Sequence, residues 1–235
     1  TPTYRAQSPW TAPPCACSTG TVDVTAEGPE SKALHADLAR YYDQDAAARA
    51  DRPLLAERVR RRDDFVRRLQ DKGRTRVVEI GLGPGTDAVA MRAAGLDVRG
   101  VDLSHEHVRI ARERGIDAVV APAQDLPYAD GSFDALWCAS VLMHLLDDDL
   151  DAALREFARV LRPGGVGAFG MWGGKGTSGY LEGDPSDPPR WFCWRTDDAM
   201  RDAIAAHATV ESFDSWWADP GHYQWCLARF GAVDG

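Results

Sequence analysis

Apolar residues recur along this chain with two different periods, and the switches between them mark out its elements. From Ser31 to about Ala50, Leu34, Leu38, Tyr41 and Tyr42 gather on one side of a helix. A second helix is expected with Pro53 in its first turn, an apolar face of Leu54, Leu55, Val59, Phe65, Val66 and Leu69, and a stop near Gly73. Beyond it short strands alternate with helices. Arg76–Ile80 reads as a strand, followed by a helix from Thr86 to before Gly95 and a strand at Asp97–Val101. A helix capped by Ser104 ends at Gly115, and strands follow at Asp117–Ala121 and Phe133–Ala139. Leu150, Leu154, Phe157 and Leu161 form a stripe that faces a sheet, stopped by Pro163-Gly164-Gly165 ahead of a strand at Val166–Met171. Periodicity lapses into Gly, Pro and aromatics over 172–194, which reads as a long loop. A helix from about Thr196 to His207 precedes two strands, 208–216 and 222–230, joined by an Ala218-Asp219-Pro220-Gly221 turn as an antiparallel hairpin. Such alternation predicts an α/β fold, a mostly parallel seven-stranded sheet with helices on both faces and an antiparallel last strand.

Composition narrows the setting. The 235 residues are enough for one full core, and the apolar fraction of 44% is that of a globular protein. Residues 1–30 hold five prolines and little periodicity, so they read as a flexible N-terminal arm ahead of a single domain at 31–235. The start lacks a basic-then-apolar leader, no apolar run reaches membrane-spanning length, and the five cysteines are scattered, with Cys15 and Cys17 forming no zinc pattern. A reduced, cytoplasmic setting is expected. A net charge of −9 disfavours a nucleic-acid or other polyanionic partner. Locally, Arg58, Arg60, Arg61, Arg62, Arg67, Arg68, Lys72 and Arg74 make a basic stretch, a solvated helix face given the interleaved Glu57, Asp63, Asp64 and Asp71, or else a nucleic-acid footprint.

The densest chemical signal lies between the first two strands. A glycine turn at Gly81, Gly83 and Gly85 links the first strand to a helix, and the second strand runs into Asp102. This is the layout of a nucleoside-binding βαβ unit, with the carboxylate placed to accept from both ribose hydroxyls. The G-x-G-x-G spacing departs from the dinucleotide fingerprint. Glu79 before the turn would repel a pyrophosphate and attract an ammonium group.

The motif EIGLGPGTD (79–87), with VDLSHEHVRIARERG (101–115), ADGSFDALWCASVLMHL (129–145) and LREFARVLRPGG (154–165) in that order, resembles the class I S-adenosylmethionine-dependent methyltransferases. The resemblance runs from about residue 75 to 172 and more weakly across the rest. It implies a Rossmann-like core at 75–235, a helical lid at 31–74, and S-adenosylmethionine as cofactor, with S-adenosylhomocysteine as product. Gly81, Gly83 and Gly85 would lie beneath the amino-acid end and the ribose, Glu79 near the methionine end or as a turn partner, Asp102 on the ribose and Leu103 on the adenine face. Many relatives place an Asp after the third strand to accept from the adenine amine; here Pro122 stands there. That contact would move to backbone groups of Ala123 and Gln124 or to the side chains of Gln124 or Asp125, with Gln124 favoured. Ser140 and Val141 would line the floor under the methyl group.

His144 is the best-placed general base, its ordinary pKa suiting proton removal near neutrality, or it is a helix-start histidine bonded to backbone. The sulfonium is already activated, so alignment and exclusion of water suffice and no triad is expected. The other histidines lack ligand spacing and the chain contains no Asn, so no metal is expected. Tyr41, Tyr42, Trp172 and Trp191, with Tyr180, Phe192 and Trp194, would stack on a flat or apolar small-molecule acceptor or anchor the loop. Arg190 and Arg195 would bind a substrate carboxylate or solvate the loop ends. Three functions remain open at this point: methyl transfer to O or N of a small molecule, methylation of tRNA or another nucleic acid, or an inactive cofactor-binding scaffold.

Overall fold

A computed structural model describes residues 31–181, 183, 184, 187, 189–218 and 221–231; the expected arm at 1–30, Asp219 and Pro220 lie outside the described residues. The helices α1 (Ser31–Ala50) and α2 (Ala56–Gln70) precede an alternating core. That core comprises β1 (Arg76–Ile80), α3 (Thr86–Ala93), β2 (Asp97–Asp102), α4 (His105–Glu113), β3 (Asp117–Val120), β4 (Phe133–Ala139), α5 (Asp147–Val160) and β5 (Leu161–Gly173). After it come β6 (Thr177–Tyr180), β7 (Trp191–Trp194), α6 (Asp197–Ala205), β8 (Ala208–Ala218) and β9 (Gly221–Phe230). Seven strands form one sheet in the order β3-β2-β1-β4-β5-β9-β8, with β9 antiparallel to both neighbours and the pairs from β3 to β5 parallel.

The core has two faces because buried strands carry apolar side chains on both. Phe65, Val66 and Leu69 of α2, Met91 of α3, and Val108 and Ala111 of α4 cover one face, around Trp137 and Trp225. Leu150, Leu154 and Phe157 of α5 and Met200 and Ile204 of α6 cover the other. Each such side chain, taken wholly out of water, contributes about 1.5–3 kcal/mol before entropy is counted. Ser104 and Thr196 cap their helices as expected, accepting from the amides of His107 at 3.0 Å and Ala199 at 3.2 Å.

Four expectations change. Pro53 does not open α2, which starts at Ala56; Pro53 and Leu54 instead lie before the helix and line a cavity wall. The Pro163-Gly164-Gly165 stop lies inside β5, where pairing shifts from Phe133↔Leu161 to Ala135↔Val166 and Gly164 takes φ 75°. Proline is tolerated at such an irregularity because no ladder bond needs its missing N–H. The loop 172–194 contains the two-stranded β6–β7 sheet. The basic stretch is not a purely solvated face. Arg58 and Arg62 turn inward to Asp87, Arg68 pairs with Glu211, and Arg61 pairs with Asp214 and stacks over Trp216 and Trp225.

Candidate active site

The carboxyl ends of β1, β2 and β4 open into a cavity of about 180 Å³ roofed by α1. In the turn after β1, Gly81, Gly83 and Gly85 adopt φ of 65°, 56° and 80°, a left-handed region that side chains resist. A Cβ at Gly81 would run into Val141 Cγ2, whereas one at Gly83 would meet nothing within 4 Å, so Gly83 opens to the cavity. Gly85 caps α3 and packs toward Ala111, outside the cavity wall.

Asp102 ends β2 at 8% exposure. Its Oδ2 accepts from the Gly83 N–H at 2.8 Å and its Oδ1 from the Ser104 N–H at 2.9 Å. The His107 Nδ1–H donates to Oδ1 at 3.3 Å, leaving the buried Nε2 without a hydrogen-bond partner among the described residues. His107 lines the cavity, and sequence reasoning gave it no role; its only signal was its place one helical turn beyond Asp102. Leu103, Ala123, Gln124 and Ser140 also line the cavity. Gln124 donates to His35 Nε2 at 3.1 Å, and its Oε1 is buried without a partner. Asp125 is exposed and outside the wall, which argues against it as the adenine acceptor.

Glu79 sits beneath the turn at 1% exposure, with neither carboxylate oxygen well hydrogen-bonded. Burial first, and the nearby Asp87 charge second, hold its carboxyl well above the usual range, against the pull of Arg58. Asp87 is itself buried and accepts from Arg58 Nε at 2.7 Å, Arg62 Nη1 at 3.2 Å and Trp137 Nε1 at 3.2 Å. Arg58 reaches the cavity wall beside it. Sequence alone gives Asp87 no role and places Arg58 only in the basic stretch.

A second cavity of about 320 Å³ adjoins the first, and Tyr42, Arg49, Arg52 and Ser140 line both. Ser140 is the one non-glycine described residue at positive φ (65°), held there by its N–H donating to Gly170 O at 2.7 Å. Backbone strain of this kind concentrates at functional sites. Tyr41, Tyr42, Trp172, Phe192 and Trp194 bring aromatic surface to the second cavity, so α1 and the 172–194 segment do meet over the strand ends. The Trp191 side chain lines neither cavity, its ring lying edge-on to Tyr180 at 5.0 Å. It contributes its carbonyl, which accepts from His144 Nδ1–H at 3.0 Å. Arg195 donates to Leu142 O, Leu145 O and Asp147, anchoring the chain rather than facing the cavity.

That carbonyl fixes the His144 tautomer, so Nε2 accepts from the Tyr42 hydroxyl at 3.0 Å. Burial pushes the imidazole pKa down from 6.5 to about 4. The expectation of an imidazole titrating near neutrality is therefore corrected: this one is neutral and its lone pair is occupied. Burial also raises the Tyr42 hydroxyl above its ordinary value, opposed by Arg49 and Arg190. The linkage has a definite sign. A depressed histidine is neutral in both states above pH 6.5, while between about 6.5 and 4 the unfolded chain binds a proton the fold refuses. Stability is thus expected to fall by up to about 3 kcal/mol across that window. Thermal unfolding of wild type and His144→Phe between pH 7 and 4 checks this, because other groups cancel in the difference. Parallel curves would mean the imidazole is not held neutral.

A family model described as a methyltransferase domain matches residues 78–169. The chain is 36% identical over 122 residues to the methyltransferase GfsG of Streptomyces halstedii, covering 48% of this chain and 43% of that protein. It is 38% identical over 104 residues to the 27-O-demethylrifamycin SV methyltransferase of Amycolatopsis mediterranei, covering 40% and 38%. It thus spans less than half the length of these curated relatives. The crystal structure of 1,6-didemethyltoxoflavin-N1-methyltransferase from Burkholderia thailandensis, bound to 1,6-didemethyltoxoflavin and S-adenosylhomocysteine, superposes with a TM-score of 0.68. That likeness covers 90% of this chain and 94% of the other at 22% identity. The chain thus has the fold of the class I S-adenosylmethionine-dependent methyltransferases, and its residues 78–169 match a methyltransferase domain.

The residues present fit that family's cofactor. The open backbone at Gly83, the orphaned Gln124 Oε1 and the two unsatisfied Glu79 oxygens are unmet contacts of the kinds a purine amine, a ribose and an ammonium group would answer. Glu79 lies below the wall rather than in it, so its influence on the methionine end would pass through the turn or a water.

Proposed function

We propose that the chain transfers a methyl group from S-adenosylmethionine to an O or N atom of a small-molecule acceptor by in-line displacement. The observation that carries this is the pair of cavities meeting at Ser140 and Tyr42, one walled by Gly83 and Asp102 and the other by aromatic rings. When bound, the cofactor supplies a methyl group already activated as a sulfonium. Asp102 would accept from the ribose hydroxyls, Gln124 Oε1 would accept from the adenine amine, and Arg58 would offer its charge to the cofactor carboxylate. The two oriented groups at the junction, the Tyr42 hydroxyl and the strained Ser140 backbone, align the acceptor atom. His144 acts as a positioning residue that holds the Tyr42 hydroxyl in place.

The α1 roof and the β6–β7 segment exclude water while this happens. Asp43 ties α1 down by accepting from Ser104 Oγ at 2.6 Å and from the Glu106 N–H at 3.0 Å. The paired arginines of α2 give no support to a nucleic-acid acceptor. Among the described residues, no helix is long and apolar enough to cross a membrane.

Calorimetry tests the reading: S-adenosylmethionine and S-adenosylhomocysteine should bind and NAD should not, and mass spectrometry should detect methylated product from a panel of phenols and amines. Tyr42→Phe should lower turnover about tenfold or more with a much smaller change in S-adenosylhomocysteine affinity. Binding of the cofactor with no transfer to any of the panel would favour a scaffold instead.

A further inference from the structure

The second cavity carries a charge pattern that narrows the acceptor, granted the reading above. Its wall includes Arg49, Arg52, Lys175 and Arg190, and no Asp or Glu among the described residues. Behind the wall, Asp45 serves Arg49 at 2.9 Å and Arg52 at 3.5 Å, and Asp184 accepts from Arg190 Nε at 2.7 Å. Among the described residues, two carboxylates therefore stand against four cations. Arg49 and Arg52 also line the first cavity, so they are shared between the two. Arg190 and Lys175 line only the second.

Both of these cations are held against aromatic rings. The Arg190 guanidinium lies 4.2 Å from the Tyr41 ring centroid, and the Lys175 ammonium lies 4.4 Å from that of Trp194. Trp194 in turn stacks on Phe192, with centroids 5.3 Å apart and rings 4° from parallel, and both line the cavity. Asp184 and the Tyr42 hydroxyl engage the Arg190 fork, which carries five N–H donors. A sulfonium next door adds a further positive charge when the cofactor is bound. An uncharged acceptor would leave these like charges facing one another in a half-closed space, whereas an anionic one relieves the repulsion and is held by charge-assisted bonds.

We propose that the acceptor is a planar aromatic acid, its ring packed among the aromatic side chains that line the second cavity and its carboxylate bound by Arg190 and Lys175. The nucleophilic O or N then points back toward Ser140 and Tyr42.

The test uses protein saturated with S-adenosylhomocysteine and three probes of one shape: 3-hydroxy-2-naphthoate, its carboxamide and 2-naphthol. In calorimetry the acid should bind about tenfold or more tightly than the amide, and added salt should narrow the gap. Lys175→Gln and Arg190→Gln should each reduce the preference and the double variant should remove it, with S-adenosylhomocysteine affinity unchanged. Lys175 is exposed, so its variant reports even if loss of the Arg190–Asp184 pair disturbs folding. If the homocysteine product binds but the acid is no tighter than the amide, or no naphthyl probe binds, the acidic-acceptor proposal is overturned while the methyltransferase reading stands. If S-adenosylhomocysteine itself fails to bind, that reading falls and the proposal with it.

Discussion

Asp102→Ala is expected to weaken S-adenosylhomocysteine binding more than tenfold and to lower the melting temperature of the free protein as well. The first effect follows from losing charge-assisted bonds to the ribose, about 1.5–3 kcal/mol each. The second follows from the bonds this carboxylate already makes: the amides of Gly83 and Ser104 and the ring of His107 would lose their acceptor in a nearly closed space. Asp102→Asn separates the two, since an amide oxygen can still accept from one backbone N–H while its NH2 group opposes the other. Calorimetry with the product and thermal unfolding without it read the effects independently. Unchanged product affinity in the alanine variant would remove the ribose assignment.

A still larger loss of stability is expected from Asp87→Ala. The side chain is wholly buried and joins α3 to α2 through Arg58 and Arg62 and to the sheet through Trp137. Removing it strands the Arg58 guanidinium and an indole N–H and leaves Arg62 only its pair with Asp63, and breaking a buried pair on one side typically costs about 3–5 kcal/mol. Denaturant unfolding at neutral pH should show that loss. Coupling this change with Arg58→Met and Arg62→Met should recover much of it, because no unpaired charge is then left inside. An alanine variant within about 1 kcal/mol of wild type would mean that water already solvates the cluster.

The same cluster shows where sequence was informative and where it was not. The β1–turn–α3–β2 unit was legible because its determinants are local: glycines where φ is positive, apolar strands on either side, and Asp102 at a strand end. The caps Ser104 and Thr196 were legible for the same reason. Arg58 and Arg62 were read as a solvated face because their nearest sequence neighbours are acidic, while their structural partner lies 29 and 25 residues away. The β6–β7 pair was missed because TSGY and WFCW are short and lack alternation; packing of Phe192 and Cys193 into the core holds β7 in place. His144 was correctly placed beside the cavity, but its proton affinity depends on burial and on Trp191 O, neither of which a sequence displays. Between Gln124 and Asp125 sequence offers two side chains of like chemistry, and only burial distinguishes them: Gln124 lines the cavity and Asp125 is exposed.

Tyr42, Arg49, Arg52 and Ser140 belong to the walls of both cavities. Three of them ride on α1 or the bend just after it, which closes over the strand ends, so ordering that helix for one guest orders it for the other. On the proposed function the two guests would be thermodynamically linked: whatever factor the acceptor gained from a loaded cofactor cleft, the cofactor would gain equally from a loaded aromatic cleft. Such mutual reinforcement would retain a matched pair of substrates longer than either alone, and it would loosen once the methyl group has moved and the positive charge has left the sulfur.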